Sequence, residues 1–247
     1  MSTLERTTCY DDAFFDSQVG GALRSARAVV PIVLELVQIQ SVLDLGCGRG
    51  AWLSVFDELG VTDCCGVDGD YVDWSKILID RSKFLGADVS KPIVLGRQFD
   101  LALCLEVGEH LPKRASKVLV ESLTAAAPLV LFSAAIPGQK GTSHINEQWP
   151  EYWERYFNER GYQRLDLIRH KIWQNRDVEW WYQQNLYLYA TGSILEELRG
   201  IASTMPTSNP GLELIKEEVL ANYKTFRKLL RETVRAGVRA VRNRIIP

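Results

Sequence analysis

Short apolar runs alternate along the chain with segments in which apolar residues recur every three or four positions. The apolar runs predict buried strands at 41–45, 63–68, 84–88, 99–107 and 129–135. The segments between them predict helices at 21–38, interrupted or kinked at Pro31, and at 51–59, 113–126 and 148–160. Strands and helices that alternate in this way are typical of a parallel sheet.

Two later runs, 162–173 and 185–191, alternate polar and apolar residues and predict an antiparallel hairpin that closes the sheet. The expected fold is therefore α/β: a doubly wound, Rossmann-like, seven-stranded sheet with a terminal antiparallel hairpin and a C-terminal helical extension. Residues 1–40 are expected to form an N-terminal helical cap, residues 41–195 the main domain, and residues 196–247 the helical extension.

Composition restricts the class of protein. Hydrophobic residues make up 46% of the 247 positions, which is enough for one large core. No stretch approaches the roughly 18 consecutive apolar residues of a membrane span. The first residues lack a basic segment and an apolar run, so we expect a cytoplasmic protein. The cysteines are odd in number and lack CxxC spacing, which favours reduced thiols over disulfides or zinc ligands: Cys9, Cys47, Cys64, Cys65 and Cys104.

The net charge of -2 conceals an asymmetry between the two ends of the chain. Residues 222–247 carry a balance of +7, which leaves -9 for residues 1–221, and this acidic main body disfavours nucleic acid as a partner. Apolar residues recur at helical spacing in the basic tail and predict an amphipathic helix: Tyr223, Phe226, Leu230, Val234, Val238, Val241 and Ile245. We expect this helix to dock on protein, its own chain or a homodimer partner, or to contact an anionic membrane surface.

The first candidate for chemistry is the segment DLGCGRG, which joins a predicted strand to a predicted helix. Its glycines, Gly46, Gly48 and Gly50, allow the backbone to approach a ligand closely. With Ala51 the turn also satisfies the dinucleotide pattern G-x-G-x-x-A, so a nicotinamide or flavin site remains an alternative. Asp68 ends the second strand, where a carboxylate suits the ribose hydroxyls of either kind of cofactor.

The segments at later strand ends help to distinguish between these kinds of cofactor. The segments VLDLGCGRG, GVDGD, ADVS and FDLALCLEVGEHLP follow one another in this order. Together they resemble the successive motifs of the class I S-adenosylmethionine-dependent methyltransferases, over residues 42–191. The predicted terminal hairpin agrees with this resemblance, because the ordinary dinucleotide fold lacks it.

The resemblance implies that residues 41–195 bind S-adenosylmethionine and release S-adenosylhomocysteine. Asp44 would hold the ammonium group of the cofactor, Asp68 would accept from both ribose hydroxyls, and Asp88 with the Val89 amide would face the adenine. The full implied cofactor site consists of Asp44, Gly46, Gly48, Gly50, Asp68, Asp88, Val89 and Leu105.

Histidines near the strand ends suggest how the acceptor is activated. Glu106, Glu109 and His110 lie at the mouth of the fourth strand, and His144 follows the fifth. Both strand ends are expected to open onto one crevice. This E-x-x-E-H pattern with a distant His resembles the metal-dependent O-methyltransferases of the small-RNA 2′-hydroxyl and ubiquinone-pathway groups, which implies Mg²⁺ or Mn²⁺ at these four residues. His144 and Glu106 are the candidate catalytic residues. The alternative is a metal-free site in which the histidine only packs beneath the cofactor.

Aromatic residues crowd the region where these enzymes bind their acceptor. Their faces, interspersed with Asn175, Arg176 and Gln183, suit a sugar ring, although core or dimer packing is an alternative. The residues are Trp149, Tyr152, Trp153, Trp173, Trp180, Trp181 and Tyr182.

The segments HINEQWPEYW and VEWWYQQN resemble bacterial glycan and natural-product sugar methyltransferases. The expected function is therefore S-adenosylmethionine-dependent O-methylation of a sugar or glycan hydroxyl. Two alternatives remain open: a small-molecule phenol or catechol methyltransferase, and a non-catalytic module that binds NAD or S-adenosylmethionine.

Overall fold

The computed structural model describes residues 12–204, and side chains from residue 19 onward. Seven strands form the sheet: β1 (Ser41–Leu45), β2 (Asp63–Asp68), β3 (Phe84–Gly86), β4 (Leu101–Leu105), β5 (Leu129–Ser133), β6 (Gln163–Leu165) and β7 (Tyr187–Ala190). The α-helices are α1 (Asp12–Leu36), α2 (Ala51–Glu58), α3 (Ser116–Ala126), α4 (Pro150–Glu159), α5 (Arg169–Ile172), α6 (Trp180–Asn185) and α7 (Gly192–Thr204).

The strands are ordered β3-β2-β1-β4-β5-β7-β6 in one sheet. The first five strands pair in parallel, whereas β7 is antiparallel to both β5 and β6. This order confirms the predicted doubly wound, seven-stranded α/β fold. The strand order reverses between β1 and β4, which is where an α/β sheet forms a crevice at the carboxyl ends of its strands.

The hydrophobic core has two parts. One part includes α1 and α2, and the other includes α3 and α4. Val29, Val30 and Val33 of α1 are completely buried in the first part. The N-terminal helix therefore shares a core with the sheet that it covers.

The predicted break at Pro31 is wrong as an interruption, because α1 continues through this residue to Leu36. Proline inside a helix removes one backbone hydrogen bond and costs about 3 kcal/mol. The valines on both sides of Pro31 are buried against the rest of the core, and their burial offsets this cost. The helix also begins at Asp12, earlier than the predicted start at Gly21.

The predicted strand at 162–173 is correct only for its first part. β6 ends at Leu165, and α5 and α6 precede β7, so the antiparallel pair is not joined by a tight hairpin turn. Leu167, Ile168 and Ile172 are all buried, and the last two have the i, i+4 spacing of one helix face. Burial of this face favours a helical turn over continued strand alternation.

The predicted basic helix at 222–247 lies outside the described residues, and the boundaries at 40 and 195 remain predictions. Helix α7 runs across the second boundary, with Leu195 and Leu198 buried in the core. Between residues 12 and 204, no helix has the length and apolar character needed to cross a membrane.

Candidate active site

A cavity of about 900 Å³ opens at the carboxyl ends of β1, β2 and β4. Seven of the eight predicted cofactor residues line it: Asp44, Gly46, Gly48, Asp68, Asp88, Val89 and Leu105. Gly50 is the exception. It precedes α2 with φ 80°, and a Cβ added there would lie 3.1 Å from Ile79 Cγ1, so the turn packs closely against Ile79.

The glycine turn adopts left-handed backbone at Gly46 and Gly48, with φ of 86° and 53°. A Cβ on Gly46 would also lie only 2.3 Å from Val107 Cγ2, which follows β4. Glycine is therefore required at this position by backbone conformation and by the neighbouring side chain, independently of any ligand. The close packing holds the turn against the end of β4.

Asp68 is buried and organises the floor of the cavity. One carboxylate oxygen accepts from Gly48 N–H at 2.7 Å, and the other accepts from Gly69 N–H at 2.7 Å and from the Tyr71 hydroxyl. Burial raises the pKa of Asp68 above its ordinary value, although these three donors oppose the shift. The carboxylate thus ties the end of β2 to the glycine turn.

Asp44 lies beside Asp68 and is only 2% exposed. Burial, and then the nearby charge of Asp68, raise the pKa of Asp44 to about 7. A cation that bound here would stabilise the ionised form of the carboxyl group. Asp88 differs from both because it is exposed, and its carboxylate accepts from Ser90 N–H at 2.9 Å.

Glu106 follows β4 with φ 55°, a left-handed conformation that is unusual for a residue with a side chain. Its half-buried carboxylate accepts from Gln139 Nε2 at 2.7 Å and from Asn185 Nδ2 at 3.2 Å. Burial raises the pKa of Glu106, and these amide donors oppose the shift. Glu106 therefore connects the end of β4 to the loop after β5 and to α6.

The structure brings together three of the four predicted metal ligands. Ligand atoms of Glu109, His110 and His144 all lie within 4.8 Å of one another. Glu106 is not part of this group, and its carboxylate accepts from the amides of Gln139 and Asn185. The four-residue metal site stays a prediction, and the structure places three of its members close enough together to share an ion.

The protonation of this cluster is set mainly by burial. Glu109 is completely buried, and among the described residues neither carboxylate oxygen has a hydrogen-bond partner. Burial, and then the charge of Glu106, raise the pKa of Glu109 well above its ordinary value. Burial, and then the neighbouring His144, lower the pKa of His110 to about 4, so His110 is neutral at pH 7.

The aromatic residues divide into two groups. Trp180, Trp181 and Tyr182 of α6 line the cavity, together with Trp52 of α2, which sequence reasoning missed. The Trp52 indole donates to the Tyr182 hydroxyl at 3.4 Å and packs edge-on against its ring at 5.2 Å between centroids. This pair connects the cofactor-side helix α2 to the predicted acceptor wall.

The other predicted aromatic residues do not line the cavity. Trp153 is 1% exposed and packs on Phe132 in the core, and Tyr152 packs on Trp153. Trp149 and Trp173 also lie outside the lining, as do Asn175, Arg176 and Gln183. The Gln183 amide instead donates to the carbonyls of Asn175 and Val178.

Several lining residues were absent from the sequence-based prediction. Tyr71, Gln139, Lys140 and Thr142 belong to loops whose course the hydrophobic pattern does not define. For Tyr71 a signal existed, because it follows the GVDGD segment that supplies Asp68. For the loop after β5, only the cluster of Gly, Thr, Ser and His residues indicated a polar ligand site.

Comparison of structures supports the fold assignment. DesVI from Streptomyces venezuelae has a TM-score of 0.52 and 14% identity, over 73% of this chain and 96% of its own. The sugar N-methyltransferase KedS8 from Streptoalloteichus sp. ATCC 53650 has a TM-score of 0.51 and 16% identity, over 68% and 87%. At such identities, the similarity establishes the fold alone.

Comparison of sequences identifies the family. No curated protein matches the chain. The family model described as a methyltransferase domain matches residues 17–185, which include the glycine turn, the strand-end carboxylates and α6. The chain therefore belongs to the methyltransferase domain family and is an S-adenosylmethionine-dependent enzyme of the class I fold.

Proposed function

We propose that the enzyme transfers a methyl group from S-adenosylmethionine to a hydroxyl of a sugar or glycan, with a divalent cation at Glu109, His110 and His144. The observation that carries the proposal is this cluster, whose ligand atoms lie within 4.8 Å of one another in the cavity that also contains the predicted cofactor residues.

The cofactor half of the cavity supports the donor. Asp44 and Asp68 are buried carboxylates that suit the ammonium group and the ribose hydroxyls. Asp88 and Val89 line the same cavity at the end of β3, where the adenine would lie. The site is rich in buried acceptors, so a ligand that carries a cationic sulfonium and an ammonium group matches its charge.

The residues of the cluster fit a metal ion. Glu109 offers two carboxylate oxygens that no described residue satisfies, and His110 is neutral and so retains an unprotonated ring nitrogen. One carboxylate and two imidazoles form a mixed oxygen and nitrogen set that Mn²⁺ or Mg²⁺ could occupy. A divalent cation there would lower the pKa of an acceptor hydroxyl.

A cation site and a base in the same cavity favour a hydroxyl acceptor over an amine. A hydroxyl must lose its proton as it attacks, so it needs a base or a cation, whereas a neutral amine attacks without prior deprotonation. His144 lines the cavity and supplies an imidazole that could take this proton. Glu106 is better suited to hold the cavity wall, because two amides already donate to its carboxylate.

The aromatic and polar lining of the cavity supports a sugar acceptor. Trp180 and Trp181 offer apolar faces, and Gln139, Lys140 and Thr142 offer polar groups around the same space. Sugar rings stack their C–H faces on aromatic rings while their hydroxyls form hydrogen bonds. KedS8, which shares the fold, is itself named as a sugar N-methyltransferase.

The test is a mass-spectrometric screen of activated sugars, glycans, amino sugars and catechols for the gain of one methyl group. We expect methylation of a sugar hydroxyl that EDTA suppresses and that Mn²⁺ or Mg²⁺ restores. His144→Ala should abolish methyl transfer and retain the affinity for S-adenosylhomocysteine. His170→Ala is the matched control, because His170 lies on α5 outside the cavity lining.

The other outcomes separate the alternatives. Methylation of catechols alone would favour the small-molecule phenol activity, because the same aromatic wall and cation would serve a catechol. Full activity after exhaustive chelation would refute the metal and leave His144 as a candidate general base. Methylation of amines alone would refute O-methylation.

A further inference from the structure

The segment 144–148, between β5 and α4, is held rigidly beside the cavity. The backbone N–H groups of Ile145 and Asn146 donate to the Glu109 carbonyl at 2.9 and 3.0 Å. The Asn146 side chain donates to Ser116 Oγ at 3.1 Å and accepts from Gln148 Nε2 at 3.0 Å. The segment is therefore bound to the turn that follows β4 and to the start of α3.

Glu147 lies within this segment and accepts three hydrogen bonds. Its carboxylate accepts from Gly138 N–H at 2.8 Å, from Lys140 N–H at 2.7 Å and from His144 Nδ1 at 3.0 Å. Gly138, Lys140 and Ser143 all have left-handed backbone, with φ of 92°, 60° and 59°. Glu147 thus fixes a strained loop and the imidazole of His144 with one side chain.

The contact determines which nitrogen of His144 carries the proton in the neutral imidazole. An ionised carboxylate only accepts hydrogen bonds, so Nδ1 must be the protonated nitrogen and Nε2 retains its lone pair. A Cβ on Gly141 would lie 2.3 Å from His144 Nε2, so the glycine leaves the space that this ring orientation needs. His144 is part of the cavity lining, and its side chain is 11% exposed.

We infer that Glu147 is the positioning residue of the active site: it holds His144 in the Nδ1-protonated tautomer, with Nε2 available as base or metal ligand. The inference rests on the proposed function, because it assumes that His144 acts on the acceptor. A carboxylate that accepts from a ligating or catalytic histidine orients the ring and raises its basicity.

The experiment compares Glu147→Gln and Glu147→Asp with the wild-type protein. Glu151→Gln is the matched control, because the Glu151 side chain on α4 is 69% exposed and pairs with Arg164 at 3.5 Å. Imidazole tautomers are read from long-range ¹H–¹⁵N spectra at about pH 9, where an ordinary histidine is neutral. The chain has 3 histidines, and His144→Gln assigns the signal.

We expect the Nδ1–H pattern for His144 in the wild-type protein and its loss in Glu147→Gln, whose amide group can donate to the ring. The kcat of Glu147→Gln should fall about 10- to 100-fold with little change in the acceptor KM. Glu147→Asp should recover part of this loss. Affinity for S-adenosylhomocysteine should stay within about twofold in every variant, since no cofactor residue changes.

Three results would overturn the inference: an Nε2–H tautomer in the wild-type protein, an unchanged tautomer and kcat in Glu147→Gln, or loss of cofactor affinity, which would indicate a structural role alone. The tautomer measurement needs no acceptor. A wild-type protein with the expected tautomer but no methylation of any hydroxyl would therefore refute the proposed function and leave the orientation of His144 supported.

Discussion

Asp44 is expected to destabilise the cofactor-free protein at neutral and alkaline pH. Burial and the charge of Asp68 raise its pKa to about 7, from an ordinary value of 3.8. The folded protein therefore binds this proton more tightly than the unfolded chain does. As the pH rises from about 4 to about 7, the unfolded chain ionises first, so the free energy of unfolding falls across that range.

The magnitude follows from the shift in the pKa. A shift from 3.8 to about 7 is roughly three units, and each unit corresponds to about 1.4 kcal/mol. Asp44→Asn removes the charge at nearly constant volume. Without cofactor, this variant should be more stable than the wild-type protein by about 4 kcal/mol at pH 8, and about equally stable near pH 4.

Cofactor binding should change in the opposite direction. The ammonium group of S-adenosylmethionine favours the ionised carboxyl group, so wild-type affinity should rise as the pH increases through about 7. Asp44→Asn should bind the cofactor at least tenfold more weakly and without this pH dependence, because it lacks a charge-assisted hydrogen bond. Stability gained at the expense of binding is typical of functional residues.

Urea unfolding at several pH values measures the first effect, and calorimetric titration with S-adenosylmethionine measures the second. Asp177→Asn is the control, because Asp177 is exposed and lies outside the cavity lining. A variant that is less stable than the wild-type protein at pH 8, or equally affected at all pH values, would refute the argument that Asp44 is a desolvated carboxylate.

Three further substitutions test other parts of the site. Tyr71→Phe should bind the cofactor several-fold more tightly, because the Tyr71 hydroxyl occupies Asp68, the proposed acceptor for the ribose hydroxyls; weaker binding in calorimetry would mean that Tyr71 contacts the cofactor. Gly108→Ala should destabilise the protein by about 1–3 kcal/mol in urea unfolding, because the new Cβ would lie 2.6 Å from buried Trp153; an unchanged midpoint would contradict this packing. Trp180→Ala should raise the acceptor KM about tenfold at constant cofactor affinity, and an unchanged KM would exclude Trp180 from the acceptor wall.

The hydrophobic pattern was sufficient to predict the sheet and the edge of the sheet at which ligands bind. Parallel strands end at a common edge. Each of four acidic residues lies at or within one residue of a predicted strand end, so all four were expected to face one crevice: Asp44, Asp68, Asp88 and Glu106. The order of strands and helices along the chain is visible in the local pattern of apolar residues, and for this reason the strand positions could be predicted. The continuation of α1 through Pro31 could not, because it depends on burial against other elements.

The amino-acid sequence by itself determined the α/β sheet, the glycine turn and the carboxylates at the strand ends, because these follow from local periodicity and chain direction. Only the tertiary structure decided which side chains meet beyond the strands. It left Glu106 out of the cluster of Glu109, His110 and His144. It also placed Trp153 in the core and paired His144 with Glu147. These contacts arise in loops with left-handed backbone and between helices that are distant in sequence. There, the spacing of residues along the chain does not show which way their side chains point.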